Sequence, residues 1–163
     1  MQKIGVISDT HAYWDNKFAE YFSDCDEIWH AGDIGSEDVL THLEEIKPVR
    51  AVYGNIDSHL IRMRCPETLR FKVEEVEILL THIGGYPGNY SHQIRREIYT
   101  SPPKIFVCGH SHIVKVIYDK SLNMLCINPG AAGMSGFHQV RTIIRFIIDG
   151  SEIKDLDLIE LSS

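Results

Sequence analysis

Short apolar runs that end directly at a polar residue recur along the first third of the chain. Ile4 to Ser8, Glu27 to Ala31 and Val49 to Tyr53 each have the length and apolar content of a buried strand. Two segments with helical spacing separate them: Trp14 to Phe22, and a stretch that follows the N-cap candidate Ser36. Strand, loop, helix and strand in this order predict a parallel α/β unit.

The second half of the chain is richer in strand-like segments. A helix is predicted from Tyr90 to Tyr99, where Pro102 and Pro103 follow it. The predicted strands are Leu69–Val73, Val76–Thr81, Ile105–Cys108, Val114–Tyr118, Met124–Ile127, Arg141–Ile148 and Ile153–Ile159. A single sheet does not accommodate all of these strands, so we expect two sheets packed face to face with helices outside.

Length and composition are those of an ordinary globular chain. The 163 residues fit one domain, residues 1–163, and the 44% of hydrophobic residues argues against overall disorder. The four cysteines form no Cys-x-x-Cys pair and suit buried thiols. Neither a signal peptide nor an apolar stretch of about 20 residues is visible, so we expect a cytoplasmic protein without membrane contact.

The charge balance bears on the partner. The formal net charge is −7, and the chain has no basic stripe of the kind that duplex binding normally needs. A nuclease is therefore the weaker hypothesis, and nucleic acid is not the expected partner. A phosphorylated small molecule stays compatible with an acidic chain, because bound divalent cations reverse the local field.

Seven polar residues with metal-ligand chemistry stand directly after the predicted strands. They are Asp9, His11, Asp33, Asn55, His82, His110 and His112. Ligands of α/β sheets bind beyond the carboxyl ends of parallel strands, so parallel neighbours would bring all seven to one edge. Residues two apart on an extended chain point the same way, which would aim both Asp-x-His and His-x-His at one cavity.

Each of these residues has a plainer explanation when taken alone. Gly-Asp and Gly-Asn dipeptides are common in turns, and a lone histidine is more often a hydrogen-bonded core or surface residue. Their joint occurrence at strand ends favours a site. Two carboxylates, one amide and four imidazoles suit Mn, Fe, Zn, Ni or Co, and seven donors suit two ions. A mononuclear metallohydrolase stays open as an alternative.

The order of these residues resembles the signature of the calcineurin-like metallophosphoesterases. The matching motifs are Asp9-x-His11, Gly32-Asp33, Gly54-Asn55-x-Asp57, His82 and Gly109-His110-Ser111-His112. The small size and the later Asn128-Pro129-Gly130 are similar to the compact YfcE-like phosphodiesterases of bacteria and archaea. The resemblance implies a four-layer α/β/β/α sandwich of two mixed β-sheets.

The resemblance also implies a division of the ligands. Asp9, His11 and His112 would bind one divalent metal ion, Asn55, His82 and His110 would bind the other, and Asp33 would bridge them. Manganese is the metal expected first. Family members often form homo-oligomers, although nothing in this sequence locates an interface.

The implied reaction is hydrolysis of a small phosphate ester, a phosphodiester rather than a monoester, by in-line attack of a hydroxide held between two cations. Asp33, Asn55 and Asp57 are the expected catalytic residues. Asp57 would either orient a metal ligand or fix the turn after Asn55. A non-catalytic metal-binding scaffold of the same fold is the alternative, and the complete set of seven ligands argues against it.

Two positions depart from the family pattern. Many relatives carry a histidine directly after the metal-binding Asn, where this chain has Ile56. A leaving alkoxide would then lack a proton donor, which favours substrates with stable leaving groups; His59 is a nearby substitute, although a surface histidine is the plainer interpretation. Many relatives also read His-Gly-His where this chain has His82, Ile83 and Gly84, so one substrate contact would be missing.

Overall fold

A computed structural model describes residues 1–161 of the chain. Its strands are β1 Gln2–Ile7, β2 Glu27–His30, β3 Val49–Ala51, β4 Thr68–Val73, β5 Val76–Thr81, β6 Gly85–Tyr86, β7 Asn89–Tyr90, β8 Ile105–Val107, β9 Lys115–Asp119, β10 Met124–Asn128, β11 Arg141–Asp149 and β12 Glu152–Leu161. Its helices are α1 Asn16–Phe22, α2 Glu37–Ile46, α3 His59–Arg64 and α4 His92–Thr100.

Ten of these strands form two five-stranded mixed sheets. The first sheet has the order β12-β11-β1-β2-β3, and β1, β2 and β3 are mutually parallel. The second sheet has the order β4-β5-β8-β10-β9, with β5, β8 and β10 parallel and the two outer strands antiparallel to their neighbours. Each sheet therefore contains three neighbouring parallel strands, and the carboxyl ends of these strands lie on the same side of the sheet.

Alternating burial along the strands accounts for the layers. Val6 of β1 packs between the two sheets, whereas its neighbour Ile7 packs on the opposite face against α1 and α2, because successive side chains of a strand point to opposite faces. On the outer face of the second sheet, Ile94 and Ile98 of α4 pack against Phe106. The predicted α/β/β/α sandwich is thereby confirmed.

Local signals fix where the helices begin. The Ser36 hydroxyl accepts a hydrogen bond from the Asp38 amide at 3.1 Å, so its predicted role as the N-cap of α2 is confirmed. The Asp15 carboxylate caps α1 in the same way, and this helix begins two residues later than the Trp14 to Phe22 pattern predicts. None of the helices within residues 1–161 has the length and apolar character that crossing a bilayer requires.

The pattern of apolar residues does not predict two short elements. Helix α3 has six residues, and of its apolar side chains Ile61 is buried while Leu60 and Met63 are exposed, so no apolar stripe marks it. The glycine-rich stretch from 84 to 88 is part of the β6–β7 hairpin. All four cysteines are buried thiols.

The burial difference within α3 can be tested with two neighbouring substitutions. Ile61→Ala removes a side chain that is 1% exposed and should lower the free energy of unfolding by about 2–5 kcal/mol. Leu60→Ala removes one that is 58% exposed and should change it by less than about 0.5 kcal/mol. Chemical denaturation measures both changes, and equal effects would contradict the difference in burial between Ile61 and Leu60.

Candidate metal centre

The seven residues predicted as ligands come together at one edge of the sandwich. Their loops follow β1, β2 and β3 of the first sheet and β5 and β8 of the second. The donor atoms of Asp9, His11 and His112 lie within 4.8 Å of one another, and so do those of Asp33, His82 and His110. Asn55 joins the second group, since its Oδ1 lies 3.1 Å from His110 Nδ1. The two groups touch, with His11 Nε2 3.6 Å from Asp33 Oδ2.

Glycine precedes Asp33, Asn55 and His110, and the site is too crowded for a side chain at all three of those places; a Cβ on Gly32 would lie 2.8 Å from His82 Nδ1. A Cβ on Gly54 would lie 2.1 Å from Asp33 Oδ1. A Cβ on Gly109 would lie 2.1 Å from Ser8 Oγ and 2.7 Å from Asp9 Oδ2. These glycines therefore allow loops from different strands to approach one another within contact distance.

The ligand pairs converge for a different reason than their spacing suggests. The argument from extended chain is wrong, because five of the seven residues adopt left-handed backbone. Their φ angles are 53° at Asp9, 46° at His11, 54° at Asp33, 71° at His110 and 63° at His112. Each such residue costs of order 1–3 kcal/mol unless its surroundings enforce it. Backbone bonds do so here: the amides of Asp9 and His11 donate to the carbonyls of Gly32 and Asp33, both at 3.0 Å.

The two carboxylates carry charge in a nearly solvent-free pocket. Burial alone would raise the pKa of Asp9, but His11 and His112 outweigh it and hold that pKa far below its usual range. Burial acts in the same way on the pKa of Asp33, and contact with His82 more than offsets it, so that pKa is also lowered. Both groups are therefore ionised at neutral pH.

Two buried imidazole nitrogens face these carboxylates without a hydrogen bond. His82 Nδ1 lies 2.7 Å from the Ala31 carbonyl and must donate to it, so Nε2 is the nitrogen that faces Asp33 Oδ2, 3.1 Å away. Burial alone would lower the pKa of His82, but Asp33 and Asp9 outweigh burial and raise it. Nε2 of His11 likewise has no hydrogen-bond partner. Ionised oxygens that draw positive charge to buried imidazole nitrogens fit a divalent cation, which would take the place of the proton at each nitrogen.

His138 fixes the orientation of His112, and the sequence reasoning missed it. Its Nε2 lies 2.8 Å from the Gly133 carbonyl, so that nitrogen carries the proton. Its Nδ1 then accepts from His112 Nδ1 at 3.2 Å. A neutral His112 is left with the lone pair of Nε2 toward Asp9 Oδ1, 3.1 Å away. A single histidine in a glycine-containing loop gives no sequence signal for this contact.

Asp57 lies beneath the candidate ligands and contacts backbone. Its buried carboxylate accepts from the amides of Ile34 at 3.2 Å, Gly35 at 2.8 Å and Gly54 at 2.8 Å. These bonds join the loop after β2 to the loop after β3. They favour a positioning role for Asp57, whose catalytic assignment stays a prediction.

His30 joins the loops after β1 and β2, and no sequence pattern marked it. Its Nδ1 accepts from the Gly32 amide at 3.1 Å, and its Nε2 lies 3.1 Å from Thr10 Oγ1. Thr10 in turn donates to the Ile34 carbonyl at 2.8 Å. Burial lowers the pKa of His30 to about 4, which keeps this ring neutral as its contacts require.

Asn128, from the Asn-Pro-Gly motif, lies beside the site. Its Nδ2 donates to the Gly109 carbonyl at 3.0 Å and to Ser111 Oγ at 3.1 Å. The end of β10 thereby supports the loop that carries His110 and His112.

The two positions that depart from the family motif differ in how much room surrounds them. Ile56 has a half-exposed side chain, while its amide donates to Asp33 Oδ1 at 3.1 Å. Gly84 has no room for a second imidazole, because a Cβ there would lie 2.6 Å from both Cys108 Cβ and Phe106 Cζ. His59 is exposed at the start of α3.

Comparison with known proteins agrees with this geometry. The pattern of the calcineurin-like phosphoesterase superfamily domain matches residues 2–151. The chain belongs to this superfamily. Among its relatives, a probable metallophosphoesterase of Methanothermobacter thermautotrophicus is 33% identical over 135 residues, which cover 78% of this chain and 76% of that protein. The superfamily predicted from the motifs is confirmed, and with it a metal-dependent phosphoesterase.

Solved structures share the fold at lower identity. An archaeal phosphodiesterase has a TM-score of 0.74 and 22% identity, with 98% of this chain and 99% of that chain covered. Vps29 of Entamoeba histolytica, in complex with zinc, has a TM-score of 0.76 and 18% identity, with 98% of both chains covered.

Ala12, which follows His11, has left-handed backbone. A change from Ala to Gly should therefore stabilise the protein at this position, whereas the same change inside a helix should destabilise it. Ala12 is exposed with φ of 68°, so Ala12→Gly should relieve strain and stabilise the protein by about 0.5–1 kcal/mol. Ala19→Gly inside α1 should destabilise it by about 1 kcal/mol. Denaturant unfolding of metal-free protein measures both. Destabilisation by Ala12→Gly would contradict the backbone conformation.

Proposed function

We propose that the protein is a dinuclear metal-dependent phosphodiesterase. Asp9, His11 and His112 would hold one cation, and Asn55, His82 and His110 the other, with Asp33 between them. The observation that carries this proposal is the pair of buried imidazole nitrogens, on His11 and His82, that face ionised carboxylates without a hydrogen bond.

Two bound divalent cations supply a water of lowered pKa and neutralise charge on the phosphoryl oxygens. The side chains and backbone of the protein position the candidate ligands. His138 and the Ala31 carbonyl set the tautomers of His112 and His82, and Asp57 holds the loops that carry Asp33 and Asn55 in register. These groups keep the donor atoms in place, so little reorganisation is needed on binding.

The position of Ile56 bears on the choice of substrate. No imidazole follows Asn55 to give a proton to the departing oxygen, so esters whose alcohol has a low pKa should react fastest. An aryl phosphodiester such as bis(p-nitrophenyl) phosphate meets this requirement. The archaeal phosphodiesterase of the same fold supports a diester substrate. Manganese is the metal proposed first. The zinc complex of Vps29 shows that this fold accepts zinc in another protein.

A metal-binding scaffold without turnover is the second candidate. Vps29 in complex with zinc shares the fold over nearly the whole chain, and a bound metal on this fold is compatible with either candidate. The two candidates differ in one measurable property, which is metal-dependent hydrolysis.

Asp33→Asn should lower the number of bound manganese ions below two per chain and reduce hydrolysis of bis(p-nitrophenyl) phosphate to background. The reason is that Asp33 contacts His82 and His11 from the two ligand groups. Equilibrium dialysis and a colorimetric assay measure the two effects. Glu20→Gln, on the exposed face of α1, is the control and should change neither. Two tightly bound ions without turnover in the unaltered protein would support the scaffold instead.

His138→Ala should lower the affinity for manganese by about 10–100-fold, because His112 loses the acceptor that orients it. His138→Gln keeps an acceptor and should lose less. Isothermal titration calorimetry measures both, with His92→Ala at the exposed start of α4 as the control. Unchanged affinity in His138→Ala would show that the contact has no role in metal binding.

A further inference from the structure

A cleft of about 430 Å³ opens beside Asn55 and His82. It runs away from the candidate metal centre between α3, which contributes Arg62, and α4, which contributes Gln93 and Glu97. Its size falls within the range of small-molecule sites. Because two of the seven candidate ligands form part of its wall, a phosphate at the metal centre would direct one of its ester groups into this cleft.

Several residues with hydrogen-bond acceptors line the cleft besides the two candidate ligands. Glu67, Thr68 and Glu97 are among them. One oxygen of Glu97 accepts from Arg70 Nε at 3.2 Å, and one oxygen of Glu67 lies 3.5 Å from a tyrosine hydroxyl. The second oxygen of each carboxylate is open to a ligand that can donate.

The one cation among the lining residues is already engaged. Arg62 donates from Nε to the Asp57 carbonyl at 2.9 Å and from Nη2 to the Asn55 carbonyl at 3.3 Å, and its guanidinium lies over the Tyr53 ring at 4.5 Å. These contacts hold the loop that presents Asn55. Arg62 keeps its positive charge and Arg70 forms an ion pair with Glu97, so the charges around the cleft balance and give no excess of positive charge to attract a second anionic group on the substrate.

We propose that this cleft binds one ester group of the phosphodiester substrate, and that this group is a hydroxyl-rich, non-anionic alcohol such as a polyol. The inference rests on the proposed function, because it seats the phosphate at the metal centre. Hydroxyl groups can donate to Glu67, Glu97 and Gln93, whereas an alkyl group of the same length would leave those acceptors without partners.

Three methyl phosphodiesters that differ in their second ester group test the proposal: glyceryl, propyl and 2-carboxyethyl. Each is measured by calorimetry on manganese-loaded protein and as an inhibitor of bis(p-nitrophenyl) phosphate hydrolysis. We expect the glyceryl ester to bind at least tenfold more tightly than the propyl ester, and the 2-carboxyethyl ester to bind most weakly. Equal affinities, or a preference for the carboxylate, would overturn the proposal.

Two variants connect the preference to the cleft. Glu67→Gln combined with Glu97→Gln should reduce the preference for glyceryl over propyl by roughly tenfold, since hydrogen bonds to charged acceptors are the stronger ones. Glu67→Lys should raise the affinity for the 2-carboxyethyl ester above that for the propyl ester. Glu45→Gln, exposed on α2, is the matched control and should leave all three affinities unchanged. If the preference for the glyceryl ester over the propyl ester persists in both cleft variants, the ester group binds outside this cleft.

The two proposals fail in different ways. Absence of bis(p-nitrophenyl) phosphate hydrolysis would count against the phosphodiesterase, and the calorimetric order of the three esters would still decide the cleft. If the protein hydrolyses bis(p-nitrophenyl) phosphate but binds the three esters with equal affinity, the phosphodiesterase proposal is supported and the cleft proposal is overturned.

Discussion

The structure depends on holding two ionised carboxylates, Asp9 and Asp33, close together in a pocket where water does not screen them. Like charges in a buried pocket repel, and a flexible chain would separate them. Both sheets prevent this, because each contains three neighbouring parallel strands whose carboxyl ends point toward the same edge of the sandwich. The imidazoles from the second sheet then face the carboxylates from the first.

The loops that carry these groups are held by buried polar side chains that bond to backbone groups. Asp57 accepts from amides of the loops after β2 and β3, His30 joins the loops after β1 and β2, and Asn128 donates to a carbonyl of the loop after β8. Five of the seven candidate ligands adopt left-handed backbone, and the amides of Asp9 and His11 bond in addition to carbonyls of the loop after β2. Strained conformations persist only where the surrounding structure enforces them, and the buried polar contacts around the site do so.

Much of this arrangement could be predicted from the sequence. Apolar runs located the strands, and polar residues directly after them located the candidate site, because strand ends in α/β folds converge in a predictable way. The role of His138 could not be predicted, since a contact across 26 positions leaves no local pattern. Helix α3 was missed because a six-residue helix with one buried apolar residue lacks an amphipathic period. The conformation of the ligand loops was misjudged because extended geometry was assumed beyond the strand ends.

The contact between His138 and His112 joins chain segments on either side of β9 and β10. The acceptor for one candidate ligand thus sits in the loop that leads into β11, while the group around His82 uses a carbonyl from the end of β2. Changes in the length of the 133–140 loop would therefore alter one half of the centre and spare the other. Evolution or engineering could alter the two candidate ligand groups separately through a segment that contains none of the seven candidate donors.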